Sequence, residues 1–427
     1  MTSSAGLPAG KARGRLSSRE APLGADYDLL AAYGSPSRSF AMERDGIGVA
    51  GVGGPTIPVS PGPDLIGRAA DVAGAALDAI ARAPGGSGTI VAGALPFDER
   101  SPALLSVLTS AVRRARRGRT TRVDVISERG AFAPTTQADR RPGPGAPAAA
   151  FDAARLRPDP SSAAYGEAVE RAAGRISAGE LRKVVLARSL VVDAGRELDV
   201  RTLLWRLRAV DPACFAFAAP TPRGIMVGAS PELLVSRSGT EVRANPLAGS
   251  APRFGDPVED RSSAERLLES PKDREEHAIV AEAVAAALGP FTDELTYPAD
   301  PEVLGTANVW HLSTPFRGRL RQPAPSVLRL VAALHPTPAI CGVPRDAARR
   351  AIAELETFER GCYAGPVGWM DAEGDGEWAI ALRCAELMGS RARLFSGAGI
   401  VAGSDPVGEI EETDRKFRAL LDALRRS

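Results

Sequence analysis

Four short stretches carry side chains whose types and spacing could do chemistry. In RKVVLARSLVV, Lys183 opens a run that is apolar on both alternating faces, so the strand it begins should be fully buried. A lysine there either snorkels to water or lies desolvated at a cavity edge, where a neutral amine becomes a usable base. In GASPELLVSR, Pro231 cannot donate to a sheet ladder, which sets Glu232 at a strand start or turn. Beside an apolar run its carboxyl could stay protonated and act as a general acid, or it could be a solvated turn residue.

In SPKDREEH, Ser270 suits a helix N-cap, Pro271 the first helical position and Asp273 a capping-box spacing. On that helix Glu276 shares the apolar stripe of Val280, Ala283 and Ala287, whereas Glu275 turns toward Glu282. An acid on such a stripe needs a cation, a metal or a proton. In GEIEETDRK, Glu409, Glu412 and Lys416 fall on one helical face. The plain alternative is an exposed Glu412–Lys416 ion pair worth about 0.2–0.5 kcal/mol. Just upstream, Gly397-Ala398-Gly399 exposes backbone after a strand, either to approach an anionic ligand or to turn the chain. No stretch decides a function singly. Together they supply two carboxylates for a hard cation, a lysine base, a carboxylic acid, and Arg383 and Lys416 for substrate anions. That inventory suits a Mg²⁺-dependent enzyme acting on a small dicarboxylate.

The elements that must position these groups fall into zones. Residues 1–24, basic and rich in Ser, Gly and Ala, read as a disordered tail. About residues 25–140 hold β-like runs (Gly46–Val52, Gly88–Leu95) around a helical stretch, Leu65–Arg82. The Pro/Ala/Gly-rich Arg141–Ala150 reads as a loop or linker. From about Arg155 onward, helices are expected over Ser161–Ala178, Pro271–Leu288, Arg345–Phe358 and Pro406–Arg425. Strands are expected over Lys183–Val192, Ile225–Val227, Leu233–Ser236, Trp378–Cys384 and Ala392–Phe395. The order is not a strict βαβ rhythm, which predicts an α+β fold with antiparallel sheets. Residues 25–427 are expected to form one domain, with an N-terminal portion (25–150) and a catalytic portion (151–427). The Arg113–Arg119 cluster reads as the solvated end of a helix.

Bulk properties narrow the field of partners. With 53 Lys and Arg against 52 Asp and Glu, no global field recruits nucleic acid or an anionic membrane. No apolar run approaches the roughly 18–20 residues needed to span a bilayer. The four cysteines form no CxxC pair and read as reduced thiols of a cytoplasmic protein. Nothing calls for a second subunit, and a monomer is the expectation.

Longer wording carries a resemblance. HPTPAICGVP (His335–Pro344), GPVGWMDAEGDGEWAIALRCAEL (Gly365–Leu387) and SGAGIVAGSDPVGEIEETDRK (Ser396–Lys416) closely resemble the C-terminal block of the chorismate-utilising enzymes, and in detail the isochorismate synthases of siderophore pathways. The likeness begins at SPSRSF (Ser35–Phe40), includes GALPFDER (Gly93–Arg100) and is dense from Lys183 to Lys416. It implies the chorismate-binding fold of anthranilate synthase component I. It also implies that Lys183 is the base activating water for attack at C2 of chorismate, and Glu232 the acid protonating the departing C4 hydroxyl. Glu276 and Glu412 would be Mg²⁺ ligands, with Glu409 holding metal-bound water. Arg383 would grip the enolpyruvyl carboxylate, with Gly397 and Lys416 as further contacts to substrate carboxylates. Gly249, His311 and Ile340 would line the pocket, and His335 would be structural.

Within that superfamily, Ala248 stands where aminodeoxychorismate synthases of the folate type carry a nucleophilic lysine, and Lys183 argues for water rather than ammonia. Asn245 and Ser250 depart from the usual wording without removing a catalytic group. The resemblance therefore implies an isochorismate synthase feeding 2,3-dihydroxybenzoate siderophores. Its rivals are a salicylate synthase, which goes on to eliminate pyruvate, and a silent chorismate-binding paralogue.

Overall fold

The computed structural model describes residues 16–20, 28–82, 88–117, 120–128 and 156–425. One long antiparallel path organises them. From Lys183–Asp193 it passes to Arg391–Ile400, Cys384–Met388, Ile225–Ser230, Phe215–Pro220 and Ser39–Arg44. It continues through Ile47–Val59, Ala103–Arg117, Ile90–Ala94, Pro366–Asp371, Gly376–Ile380 and Leu233–Ser238. A separate three-stranded sheet joins Leu247–Pro252, Val309–Ser313 and Glu302–Gly305. The antiparallel α+β expectation is met.

Side-chain alternation explains why the path separates two cores. In Ser39–Arg44, Phe40 and Met42 enter one core and Ala41 the other; Phe215 and Phe217 alternate with Ala216 and Ala218 in the same way. The bulky face is covered by helices Leu65–Ala81 and Val327–Leu334, the alanine face by Val200–Val210 and the end of Pro406–Arg425. Each phenylalanine so buried contributes about 1.5–3 kcal/mol. The N-terminal portion is stitched into the rest twice, through Ser39–Arg44 beside Phe215–Pro220 and Ile90–Ala94 beside Pro366–Asp371.

Several expectations need correction. Arg113 lies in the strand Ala103–Arg117, not at a helix end. Its cross-strand neighbour Asp124 takes Nη2 at 3.0 Å and Asp371 takes Nη1 at 2.7 Å, so tertiary pairing overrides the local helical pattern. Leu16–Glu20 is a strand paired with Thr120–Glu128, which removes those five residues from the expected tail. The rest of 1–24 and the Arg141–Ala150 linker lie outside the described residues. The single strand expected over Trp378–Cys384 is two, Gly376–Ile380 and Cys384–Met388, broken where Arg383 takes φ +47°. Helices Val200–Val210, Pro257–Glu269 and Val327–Leu334 were not anticipated.

Candidate active site

The strand Lys183–Asp193 carries Lys183 at its first position, wholly buried rather than snorkelling. Its neighbour Arg391–Ile400 sets Gly397 opposite Ala187 and Gly399 opposite Val185. Two helices then bring acids over these strands. Ser270 caps Pro271–Leu288, its Oγ accepting from Asp273 N at 3.3 Å. Glu276 turns inward while Glu275 stays exposed. The first turns of Pro406–Arg425 supply Glu409 and Glu412.

These elements enclose a cavity of about 120 Å³ for water centres. Glu232, Glu276, Glu409, Glu412, Arg383, Lys416, Gly397, Gly249, His311 and Ile340 all line it. Lys183 does not; it lies behind Glu276, with Nζ 2.9 Å from Glu276 Oε1. That is an ion-pair distance without hydrogen-bond alignment, and Nζ has no other hydrogen-bond partner. Gly399 makes the contact possible, since a Cβ there would come within 2.6 Å of Glu276 Oε1 and 3.2 Å of Lys183 Cε.

The charges are graded around the cavity. Burial pushes the Glu232 carboxyl up to about 8, against smaller opposing effects of the Leu247 backbone and Lys183, so it is a carboxylic acid at neutral pH. Glu232 sits in the joint between Ile225–Ser230 and Leu233–Ser238, as its Pro231 neighbour suggested. Burial, then the neighbouring Glu412, raises Glu409 to about 7. For Glu412 burial also pushes upward, but the Lys416 charge and the hydrogen bonds from Lys416 and Ser250 outweigh it and hold the carboxyl below its ordinary value. Glu412 Oε1 accepts from Lys416 Nζ at 2.5 Å and from Ser250 Oγ at 3.0 Å, so this pair belongs to the cavity and not to an exposed face. Lys416 Nζ also donates to Gly397 O at 2.9 Å.

His311 links two walls. Burial foremost, then Arg383 and Lys416, lowers its imidazole to about 3, which keeps it neutral. Arg383 can only donate, so His311 Nε2 accepts from Arg383 Nη2 at 3.1 Å and Nδ1–H is left to donate to Gly249 O at 3.3 Å. Left-handed backbone at Arg383 (φ +47°) and Gly249 (φ +73°) aims both at the cavity; the first is a strained conformation for a side-chain-bearing residue. His335 lies elsewhere, its Nε2 2.9 Å from Phe97 O. Asn245 accepts from Ser313 Oγ at 2.7 Å and so ties the large sheet to the small one.

Several lining residues escaped the sequence reading. The sequence gives Asp273 only a capping role, and gives Lys272, Tyr363 and Phe395 no site role. The Tyr363 and Phe395 rings stack at 4.9 Å as an aromatic wall, an arrangement that no local spacing announces.

Among the described residues, no three His, Cys, Asp or Glu side chains are already gathered as a metal cluster. The donor set nonetheless fits a hard divalent cation. Glu276, Glu409 and Glu412 share one cavity, and burial, then Glu412, raises the Glu409 carboxyl to about 7. Mg²⁺ needs only one or two carboxylates, with water and substrate oxygens for the rest.

Known proteins resemble this chain in sequence and in fold. A family profile described as chorismate binding enzyme matches residues 129–425. The isochorismate synthase DhbC of Bacillus subtilis is 48% identical over 276 residues, 63% of this chain and 69% of that protein. The crystal structure of DhbC from Bacillus anthracis, provisionally a 2,3-dihydroxybenzoate-specific isochorismate synthase, is 38% identical with a TM-score of 0.79. It covers 93% of this chain and 99% of its own. Anthranilate synthase component I from Streptococcus pneumoniae, 22% identical with a TM-score of 0.62 over 98% of this chain and 95% of that one, shares the fold.

Proposed function

Because this chain belongs to the chorismate-binding enzyme family, we propose that it is a Mg²⁺-dependent isochorismate synthase, an isomerase whose product carries its hydroxyl at C2 in place of C4. The observation that carries this reading is Glu232, a buried acid poised to hold a proton to about pH 8 on the wall of a cavity lined by Arg383 and Lys416.

Each named group has a task in that reaction. With Glu276 turned away from Nζ, the amine of Lys183 would take a proton from the water that attacks C2. Glu232 gives its proton to the C4 oxygen, which leaves as water while the ring double bonds shift, so atoms and charge balance. The Arg383 fork, braced by neutral His311, suits a carboxylate held by two parallel hydrogen bonds. Lys416, fixed between Glu412 and Gly397 O, presents a second cation. Glu276 and Glu412 would hold Mg²⁺, with Glu409 orienting its water. The ion would supply positive charge against the ring carboxylate. Every group comes from one chain, so a monomer suffices.

The wording of SPKDREEH and HPTPAICG, with the likeness to DhbC, supports a place in 2,3-dihydroxybenzoate siderophore synthesis. Four buried free cysteines suit a reducing cytoplasm, and among the described residues no helix is long and apolar enough to cross a membrane. The test is product analysis by liquid chromatography with mass detection, from chorismate and Mg²⁺ with and without EDTA. A metal-dependent isomer of unchanged mass is the expected result. Salicylate with equal pyruvate would reassign the reaction to salicylate synthase, and no product would leave a silent paralogue.

A further inference from the structure

The strand that begins with Lys183 has one complete edge and one interrupted edge. Arg391–Ile400 pairs with it from Val184 to Asp193. The other edge is shared by two short strands, Gly342–Val343 opposite Lys183 and Val184, and Leu156–Asp159 opposite Ser189–Val192. Val185 N donates to Cys341 O at 2.8 Å, and from there to Ser189 no strand among the described residues continues the ladder. Two side chains take its place. Arg360 Nη2 donates to Val185 O at 2.8 Å, and Glu356 Oε1 accepts from Ala187 N at 2.8 Å. The same guanidinium donates from Nη1 to Ile340 O at 2.9 Å and from Nε to Glu356 Oε2 at 2.9 Å.

Both side chains are almost wholly buried, at 3% and 4% exposure, and the guanidinium lies 4.2 Å over the Phe97 ring. A buried ion pair is a poor source of net stability, because desolvation offsets most of the attraction. A planar fork with five fixed donors is, by contrast, well suited to hold several acceptors at set directions. Here it grips the strand of Lys183, the Ile340 loop of the cavity wall, and Glu356. Arg360 itself reaches the cavity surface.

We infer that Glu356 and Arg360 are positioning residues: as a pair they bridge the gap in the ladder and hold the strand of Lys183 in register with the Ile340 wall of the cavity. This inference rests on the base role proposed for Lys183.

The test uses the full chain and two variants. Glu356→Leu/Arg360→Met exchanges the pair for apolar groups of similar bulk, which removes both charges and leaves Val185 O, Ile340 O and Ala187 N without these partners. Arg360→Lys keeps the ion pair, but one ammonium cannot span Val185 O and Ile340 O. Three quantities are read: the unfolding midpoint, amide hydrogen exchange across residues 183–188, and kcat and KM for chorismate.

We expect the double variant to fold with a lowered midpoint, because those backbone groups lose their partners, and with faster exchange at Ala187. In both variants kcat should fall about tenfold or more, since a displacement near 1 Å can cost that much. KM should move less than about threefold, because Arg383 and Lys416 hold the substrate from other elements. A folded variant of either kind with wild-type kcat overturns the inference. So does unchanged exchange at Ala187 in the double variant. If the double variant does not fold, Arg360→Lys alone decides by its kcat. Wild-type protein that makes no isochorismate refutes the functional reading instead, and the exchange data still judge the geometry.

Discussion

Replacing Glu232 with Gln keeps the shape of its carboxyl and removes the proton it can give. Held at about 8 rather than 4.5, that carboxyl carries roughly 5 kcal/mol of preference for the neutral form, at about 1.4 kcal/mol per pH unit. The folded protein therefore binds this proton more tightly than the unfolded chain. The sign follows: the stabilisation is complete below about pH 4.5 and is lost as pH rises through about 8. Glu232→Gln should remove that slope, so the variant gains on wild type between pH 5 and pH 9 in denaturant unfolding, by a few kcal/mol at most. Turnover should move the opposite way. Loss of a general acid costs about 10²–10⁴ in kcat, and wild-type kcat should fall above about pH 8 while the residual rate of the variant shows no such limb. Chorismate turnover measured from pH 6 to 9.5 in both proteins is the assay. A variant with wild-type kcat, or one that keeps the same alkaline limb, refutes the assignment of Glu232.

Other substitutions probe the remaining groups. Lys183→Ala should abolish turnover while chorismate binding, measured calorimetrically, stays within about threefold; near-wild-type kcat would show that another group is the base. Glu276→Gln should weaken Mg²⁺ and chorismate together in titrations of each, because one ion would bridge carboxylate and substrate, and a loss confined to either ligand contradicts that bridge. Gly399→Ala places a Cβ 2.6 Å from Glu276 Oε1, forcing that carboxylate off Lys183. We expect about a tenfold loss of kcat with little change in the thermal midpoint, and unchanged kcat would mean the contact is idle.

How much of this was legible follows from how local each signal is. The N-cap of Ser270 and the inward face of Glu276 depend on residues within two helical turns, and both appear as read. The burial of Lys183 depends on partners at residues 391–400 and 342–343, so its sequence left snorkelling open. Glu232 keeps its proton at neutral pH only because distant elements close over it. Helix Val327–Leu334 was missed because VLRLVAAL is nearly all apolar, and periodicity cannot separate a buried helix from a buried strand in so short a run. Pro257–Glu269 was missed for the opposite reason, with few apolar residues to show a face. The Arg383 break is invisible in IALRCAEL, where strand-forming residues stand on both sides.

The twofold stitching of the N-terminal portion has a consequence for how the chain is made. Ser39–Arg44 waits for Phe215–Pro220, and Ile90–Ala94 waits for Pro366–Asp371, far downstream. At about 5–20 residues per second, the early strands leave the ribosome tens of seconds before their partners exist. Pairings so distant along the chain also close slowly, since loop entropy must be overcome before any contact stabilises them. Until then Ile90–Ala94, a wholly buried strand in the finished enzyme, presents an open edge and apolar side chains to the cell. The newborn chain is thus a natural client for holding chaperones, and its folding yield should depend on their supply more than on the stability of the finished enzyme.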